Sequence, residues 1–160
     1  MTDFIVRPAT IDDAASAVAV MRASITELCV ADHHDDPATL ARWLRNKTTD
    51  HFMEWLANPS NHILVAEEAI ELSGVAALNR NGDLGVCYVC PGRQRCGIGH
   101  ALLMALEAQA ARWGLDEIRL TSSTAARAFY ERHGYRSTGN PIPQYGVLID
   151  YPYAKPLCEP

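Results

Sequence analysis

A glycine-containing loop with basic residues lies near the middle of the chain. Residues 94–99 read Gln-Arg-Cys-Gly-Ile-Gly, and Arg93 and Arg95 place positive charge beside the glycines. The loop separates an apolar run at residues 84–89 from a long segment with helical apolar periodicity, which predicts a strand, a loop and a helix in that order. The first turn of a helix has unpaired backbone N–H groups that, with the helix dipole, attract anions. The loop is therefore predicted to bind a phosphate group.

Two common phosphate-binding patterns fit this loop poorly. A Walker loop requires Gly-Lys followed by Ser or Thr, whereas Gly99 is followed by His100 and Ala101. A dinucleotide fingerprint has three glycines directly after the first strand of a βαβ unit, whereas this loop has two and follows about half of the chain. A nucleotide-binding module nevertheless stays open as an alternative.

A second segment, residues 122–135, reads Ser-Ser-Thr-Ala-Ala-Arg-Ala-Phe-Tyr-Glu-Arg-His-Gly-Tyr. Its hydroxyl residues can cap the start of a helix, and Gly134 can end one. A strand is predicted directly before it, at residues 117–121. The segment is therefore predicted to be a short helix that follows a strand.

Both segments resemble signatures of the GCN5-related N-acetyltransferase (GNAT) superfamily. The loop resembles the acyl-CoA pyrophosphate signature Gln/Arg-x-x-Gly-x-Gly/Ala, preceded here by Val-x-Pro at residues 89–91. The second segment resembles Asn-x-x-Ala-x-x-Phe/Leu-Tyr-Glu-x-x-Gly-Phe/Tyr. Ser123 stands at the Asn position, and the residues that match in register are Ala126, Phe129, Tyr130, Glu131, Gly134 and Tyr135. The resemblance covers residues 5–151 and is closest over residues 83–135.

The resemblance implies a fold and a cosubstrate. The fold is a mixed α/β GNAT fold, with a mostly antiparallel mixed sheet of about six to seven strands. This sheet is splayed between strands four and five and flanked by helices. The cosubstrate is acetyl-CoA (coenzyme A), and no metal is implied. The implied cofactor-binding residues are Cys87, Tyr88, Val89, Gln94, Arg95, Cys96, Gly97, Ile98, Gly99, His100, Ser123, Ala126 and Phe129.

The implied reaction is transfer of an acetyl group from the thioester to a primary amine, on a small molecule or a peptide, by direct attack without a covalent enzyme intermediate. Tyr130 matches the family tyrosine that reaches the CoA sulfur. A phenol has an ordinary pKa near 10, so at neutral pH Tyr130 is protonated and can donate to a thiolate as the general acid.

The general base and the acceptor contacts are less closely specified. Asp83 begins strand four, where histone-type members of the superfamily carry a catalytic glutamate, but it is also a plausible turn residue after Asn81-Gly82. His33 and His34 lie in a polar cluster at residues 31–36. This cluster is predicted to be either a solvated loop or a set of substrate contacts, and its histidines could also bind a metal or supply the general base. Tyr145 lies in a turn-rich region that often borders the acceptor site in this family.

The same residues are also compatible with a protein that binds acyl-CoA without catalysis, and the cysteines with a metal site. A non-catalytic acyl-CoA-binding regulator would keep the phosphate loop and dispense with the acid. Cys87 and Cys90 have a spacing known from metal sites, but residues three apart on a strand face opposite sides. The cysteines are predicted to be packing or loop residues rather than nucleophiles.

Composition narrows the function classes. With 160 residues, 48% hydrophobic and 21% charged, the chain is predicted to be one globular domain over residues 1–160. A net charge of −5 without a long basic run argues against nucleic acid as a partner. Five cysteines, no apolar membrane-length segment and an N-terminus unlike a signal peptide predict a cytoplasmic protein that does not bind a membrane. A homodimer is left open.

The remaining elements are predicted from caps and periodicity. Helices are expected over residues 12–29, from Asp36-Pro37 onward, over residues 49–57 and over residues 101–113. Strands are expected at residues 4–8, 62–67, 72–78, from Asp83 to the loop, and at 144–151. Strand five is expected to lie parallel to strand four, because a helix connects them.

Overall fold

Two β-sheets form the centre of the molecule, which a computed structural model describes over residues 3–157. The first sheet is antiparallel, with β1 (Ile5–Pro8), β2 (Asn61–Glu68), β3 (Glu71–Asn79) and β4 (Leu84–Val89) in that order. In the second sheet β8 (Ile149–Pro156) lies between β5 (Glu117–Ser122) and β6 (Arg136–Ser137), and β7 (Ile142–Pro143) also pairs with β8. The predicted mixed α/β fold is confirmed.

The two sheets meet at one end of β4 and β5. Asp83 and Arg119 form an isolated parallel bridge, and the Arg119 amide donates a hydrogen bond of 2.8 Å to the Gly82 carbonyl. Beyond this bridge no strand pairing joins β4 to β5 within residues 3–157. The strands therefore start together and separate toward Val89 and Ser122, which leaves a gap between them.

Six α-helices within residues 3–157 cover the sheets. They are α1 (Ala14–Leu28), α2 (Val30–His33), α3 (Pro37–Leu44), α4 (Thr49–Ala57), α5 (Ile98–Arg112) and α6 (Arg127–Arg132). Asp36 caps α3 by accepting the Thr39 amide at 3.0 Å, and Thr48 caps α4 by accepting the His51 amide at 3.2 Å. The polar residues before these helices thus satisfy N–H groups that the helices leave unpaired.

Two hydrophobic clusters lie on either side of the first sheet. The larger joins α5 to both sheets: Leu102, Leu106, Ile118 and Tyr153 are all buried in it. The smaller packs α1 and α4 against the opposite face. Because one cluster contains residues of both sheets, burial of apolar surface holds the sheets together where backbone pairing does not.

Several element boundaries differ from the sequence predictions. α5 begins at Ile98 instead of residue 101, and α6 covers only Arg127–Arg132 of the predicted segment 122–135. The last strand is Ile149–Pro156 rather than residues 144–151. Residues 144–148 form a turn instead, because the Gln144 and Leu148 amides donate within it and Gly146 has a φ of +55°.

The polar cluster at residues 31–36 is not a solvated loop, because α2 places two of its side chains in the interior. Asp32 and His33 are buried, and the His33 Nε2 lies 3.1 Å from the Ile25 carbonyl oxygen. Thr26 contributes a second carbonyl at 3.2 Å. A ring that bonds to main-chain carbonyls in the core stabilises the end of α1.

None of the helices within residues 3–157 has the length and apolar character needed to cross a bilayer. The prediction about a leader segment rests partly on Met1 and Thr2, and the count of five cysteines includes Cys158. These three residues lie outside the described part of the chain. The described cysteines, Cys29, Cys87, Cys90 and Cys96, are free thiols.

Candidate active site

A cleft of about 1090 Å³ opens at the gap between β4 and β5. The N-terminal end of α5 and the helix α6 form one side of it, and α1, α3 and the segment from Gln144 to Asp150 form the other. The residues of the predicted site that line this cleft are Cys87, Tyr88, Val89, Gln94, Arg95, Gly97, Gly99, His100, Ser123, Ala126, Phe129, Tyr130 and Tyr145. Residues from separate parts of the sequence are thus brought to one opening.

Backbone amides of the loop are free to bind a ligand. None of the amides of residues 94–100 donates a hydrogen bond within the described part of the chain. The first main-chain bond of the following helix runs from the Ala101 amide to the Gly97 carbonyl at 3.0 Å. Gly97 has a φ of +87°, a left-handed conformation that a side chain would oppose. The free N–H groups at the start of a fifteen-residue helix suit an anionic ligand.

The second glycine is required by close packing. A Cβ atom on Gly99 would lie 3.2 Å from Cε1 and 3.3 Å from Cζ of Phe129, and 3.7 Å from Cγ2 of Val89. The backbone of α5 therefore approaches the α6 ring and the end of β4 at a distance that leaves little room for a side chain. Gly99 thus allows α5, α6 and β4 to meet at the wall of the cleft.

Positive charge at this end of the cleft is only partly neutralised. Arg93 forms an ion pair with Glu68 of β2, which ties the loop to the first hairpin. Arg95 and Arg132 line the cleft and form no ion pair within residues 3–157. An anion bound to the loop amides would therefore find two further cations.

Two histidines form a hydrogen-bonded chain at the same end. His133 Nδ1 lies 2.8 Å from the Phe129 carbonyl oxygen, and its Nε2 lies 2.9 Å from His100 Nδ1. Because a carbonyl only accepts, the Nδ1 of His133 donates to the Phe129 carbonyl, and the Nε2 shares a hydrogen bond with His100 Nδ1. These two hydrogen bonds connect the His100 ring, at the start of α5, to His133 at the end of α6.

Tyr130 lies deep in the gap, beside Cys87 of β4. The phenol is 5% exposed, and burial, followed by the nearby Cys87 and Tyr88, raises its pKa well above the ordinary value. Burial also raises the pKa of the Cys87 thiol to about 12. Both groups are therefore protonated at neutral pH. Tyr130 can donate a proton, whereas Cys87 has little of the thiolate character that a nucleophile requires.

Some predicted site residues lie elsewhere. Ile98 is 1% exposed and packs in the core, and Cys96 turns its thiol toward the Gln94 carbonyl rather than into the cleft. Asp83 lies at the closed end of the gap, where its carboxylate is 3.1 Å from Arg119, and it does not line the cleft. The β4–β5 bridge holds Asp83 away from the opening, which argues against its assignment as the base.

The two predicted substrate-contacting histidines also lie outside the cleft. His33 is 0% exposed, and in this structure it presents no surface to a substrate. His34 ends α2 with a φ of +53° and does not line the cleft. The substrate contact expected of this pair is therefore corrected to a structural role for His33, because α2 turns its ring inward.

Other cleft residues were not singled out from the sequence. Asp150 of β8 is half-buried in the cleft, and burial, with a smaller effect of Asp32, raises the pKa of its carboxyl. Arg42 and Arg45 at the end of α3 line the same side. The sequence predicts only that Asp150 lies in the last strand, close to Tyr145. It contains no motif that indicates a position in the cleft.

No group of three or more His, Cys, Asp or Glu side chains arranged to hold a metal ion occurs in the part of the chain from residue 3 to residue 157. The cleft offers instead backbone donors and cations at one end, a protonated phenol in the middle and a carboxylate at the other end. Such a set can bind a phosphate-bearing ligand and transfer protons beside it.

The sequence is similar to a known domain family and to several known proteins. The model of the acetyltransferase (GNAT) domain matches residues 29–155. An uncharacterized N-acetyltransferase of Mycobacterium tuberculosis is 31% identical over 101 residues, which cover 59% of this chain and 65% of that protein. One of Bacillus subtilis is 30% identical over 94 residues, with 58% and 67% covered. The chain thus spans somewhat less than two thirds of the mycobacterial relative.

Solved structures share the fold. A GCN5-related N-acetyltransferase from Rhodopseudomonas palustris superimposes with a TM-score of 0.87 at 24% identity, covering 98% of both chains. The PaiA N-acetyltransferase from Thermoplasma acidophilum, in complex with coenzyme A, gives a TM-score of 0.82 at 20% identity, covering 97% of this chain and 99% of that one. Because the family model matches more than half of the sequence, the chain belongs to the GNAT acetyltransferase domain family.

Proposed function

We propose that the protein is an acyl-CoA-dependent N-acyltransferase that transfers the acetyl group of acetyl-CoA to a primary amine. Membership of the GNAT family supports this activity, and so does the fold shared with a protein solved in complex with coenzyme A. The observation that carries the proposal is a single cleft with free loop amides at one end and Tyr130 in the gap between β4 and β5.

The diphosphate of the donor binds the free amides of residues 94–100, with Arg95 and Arg132 beside it. Helix N-termini and guanidinium groups are the donors that phosphates prefer. The pantetheine arm extends along Cys87, Tyr88 and Val89, where β4 has no strand partner on the side of β5. Unpaired main-chain groups of β4 then bond to the arm and face the thioester carbonyl, which they can polarise.

The reaction forms a C–N bond and breaks the C–S bond. The acceptor ammonium first loses a proton, and its neutral amine then attacks the carbonyl carbon directly. Tyr130 donates its phenolic proton to the departing thiolate, and the second proton of the attacking nitrogen returns the tyrosine to its protonated form through solvent. Because its pKa is raised, Tyr130 holds this proton until the thiolate develops.

The carboxylate assigned to the first proton transfer is Asp150. It lines the cleft, whereas Asp83 is paired with Arg119 outside it. Burial raises the pKa of Asp150, which makes its carboxylate a stronger base than an exposed aspartate. Solvent water then receives the proton. The acidic limb of the pH–rate profile is expected above the ordinary range of an aspartate.

Release of free thiol from acetyl-CoA in the presence of a panel of small amines and peptides tests the proposal. Acetyl-CoA binding is measured in parallel by thermal shift, with ATP as the comparison ligand. Amine-dependent thiol release supports the enzyme. Binding of acetyl-CoA without release by any amine would support the alternative, a non-catalytic acyl-CoA-binding regulator. Stabilisation by ATP in preference to acetyl-CoA would overturn both and support a nucleotide-binding module.

We further propose that the chain acts as one domain in the cytoplasm. The hydrophobic cluster shared by both sheets supports a single domain, because neither sheet buries its inner face alone. Free thiols at the four described cysteines support a reducing compartment. Limited proteolysis that yields two stable fragments would contradict the single domain.

A further inference from the structure

The acceptor side of the cleft carries opposite charges that nothing in the described chain neutralises. It comprises α1, α3 and the segment from Gln144 to Asp150, across the gap from the loop amides. Arg42 and Arg45 extend into it from the end of α3, and Asp150 faces it from β8. The position of these charges opposite the donor site rests on the proposed function.

The two arginines lack acidic partners. Neither forms an ion pair within residues 3–157, whereas Arg7, Arg93 and Arg119 each do. Arg42 and Arg45 are three residues apart, so their side chains leave the same face of the chain as it ends α3. The guanidinium of Arg42 lies over the Tyr145 ring, 4.4 Å from its centroid, which fixes its direction. Two unpaired guanidinium groups at one wall form a site for a planar anion.

Lys47 adds a third positive charge to this wall without a carboxylate partner. Its Nζ donates to Asn46 Oδ1 at 2.8 Å and approaches the Trp43 carbonyl at 3.5 Å. The side chain is buried, and Lys47 lines the cleft together with the two arginines. The wall made by the end of α3 is therefore cationic at its surface and below it.

Asp150 supplies a negative charge to the same cleft. Its carboxylate lines the cleft and forms no ion pair in the described part of the chain. Tyr145 lines the cleft together with both charges. Burial raises the pKa of its hydroxyl and the charge of Asp150 raises it further, whereas the charges of Arg42 and Arg45 lower it. The Arg42 guanidinium packs on the Tyr145 ring, so a ligand in this part of the cleft meets guanidinium groups beside Tyr145 and finds the Asp150 carboxylate in the lining of the same cleft.

We infer that the acceptor is a small zwitterionic amine, such as an amino acid, whose ammonium binds Asp150 and whose own carboxylate binds Arg42 and Arg45. An amine without an anionic group would leave both arginines unpaired, and a polyamine would place a second cation beside them. Like charges brought together in this way cost binding energy and select against such substrates. The arginines are thus positioned to determine specificity, while Asp150 takes the proton.

Matched acceptors test this inference. Thiol release from acetyl-CoA is measured with the common amino acids, and for each of them with the corresponding amide and the decarboxylated amine. We expect kcat/KM to be at least about tenfold higher for the amino acid than for either analogue, since one lost charge-assisted contact is worth that factor or more. In Arg42→Gln, Arg45→Gln and the double variant this ratio falls toward one, mainly through KM.

Arg80→Gln is the matched control, because the Arg80 guanidinium also lies over an aromatic ring, 4.7 Å from the Trp113 centroid, but outside the cleft. It should leave the ratio unchanged. Acetyl-CoA affinity is recorded for every variant. A protein that binds no acetyl-CoA would contradict the proposed function itself. A protein that binds acetyl-CoA but prefers the amide, the decarboxylated amine or a polyamine, or that accepts no amino acid, would overturn the zwitterionic acceptor alone.

Discussion

The Asp32 carboxylate accepts a hydrogen bond of 2.6 Å from the Thr124 amide, although 92 residues separate the two in the chain. Its second oxygen accepts the Ala125 amide at 3.2 Å. Asp32 is buried on α2, so these amides satisfy a charge that would otherwise be costly. The contact fixes the turn that leads from β5 into α6, and α6 carries Tyr130.

Asp32→Asn tests this contact. The side-chain amide keeps one acceptor oxygen but turns an N–H group toward a backbone N–H, so we expect the free energy of unfolding to fall by about 2 kcal/mol. Urea unfolding measures the change. Asp12→Asn, at an exposed aspartate close to the start of α1, is the control and should change stability little. Equal stability of the two variants would contradict a structural role for Asp32.

Tyr130→Phe removes the proposed proton donor while keeping the ring. We expect kcat for amine acetylation to fall about 100-fold or more, with acetyl-CoA affinity nearly unchanged, because proton transfer contributes to the transition state rather than to binding. Tyr135→Phe removes a buried phenol outside the cleft, whose hydroxyl donates to Glu107 at 2.9 Å, and should lower stability rather than kcat. Unchanged turnover in Tyr130→Phe would remove this residue from the mechanism.

Gly99→Ala introduces a methyl group 3.2 Å from the Phe129 ring. The ring or the start of α5 must move by a few tenths of an ångström, which distorts the wall of the cleft, so we expect acetyl-CoA affinity to fall by about tenfold, equivalent to about 1.4 kcal/mol. Isothermal titration calorimetry measures the affinity. Gly139→Ala, where the new Cβ would meet only Pro152 Cγ at 3.7 Å, is the control. Affinity equal to that of the unmodified protein would show that the wall of the cleft yields without narrowing it.

Lys47→Met tests the cost of a buried cation. Burial lowers the pKa of Lys47 from 10.5 to about 8, so the charged lysine opposes folding fully below about pH 8, and this penalty disappears as the pH rises to 10.5. The shift corresponds to about 3 kcal/mol. We therefore expect Lys47→Met to raise the free energy of unfolding at pH 7 by up to about 3 kcal/mol, and the gain to vanish near pH 10.5.

Urea unfolding at pH 7 and pH 10.5 compares the two proteins. Lys155→Met is the contrasting variant, because Lys155 Nζ lies 2.9 Å from Glu107 Oε1 and its loss should lower stability. A gain from Lys47→Met that persists unchanged at pH 10.5 would mean that better packing, rather than removal of the charge, is its cause.

Local signals predicted much of the fold. α4 has the predicted bounds, and α3 starts at the predicted Asp36-Pro37 pair, because caps and helical periodicity act within a few residues. The hairpin of β2 and β3 was equally readable from two short apolar runs, residues 62–67 and 72–78, separated by a short turn. The glycines of the loop at residues 94–99 lie at the predicted start of the helix, one with positive φ and one at a close contact.

The errors arise where distant contacts override local preference. The Ser123 hydroxyl accepts the Ala126 amide at 3.2 Å, as a capping residue does, but Asp32 holds the Thr124 and Ala125 amides in a turn and α6 starts only at Arg127. His33 was read as a polar loop residue, although α2 turns it into the core. Asp150 could not be assigned to the cleft from spacing, because its position depends on the pairing of β8 with β5 and β7.

The single bridge between Asp83 and Arg119 also affects how far β4 and β5 separate. β4 and β5 are joined by backbone pairing at one end and separate toward the other. The angle between the two strands therefore depends on the residues that form the bridge. The Arg119 side chain, which bonds to Asp83 and to the Asn81 carbonyl, lies at this bridge. In the proposed reaction, the width available to the thioester beside Tyr130 therefore depends on Asp83 and Arg119, which lie outside the cleft.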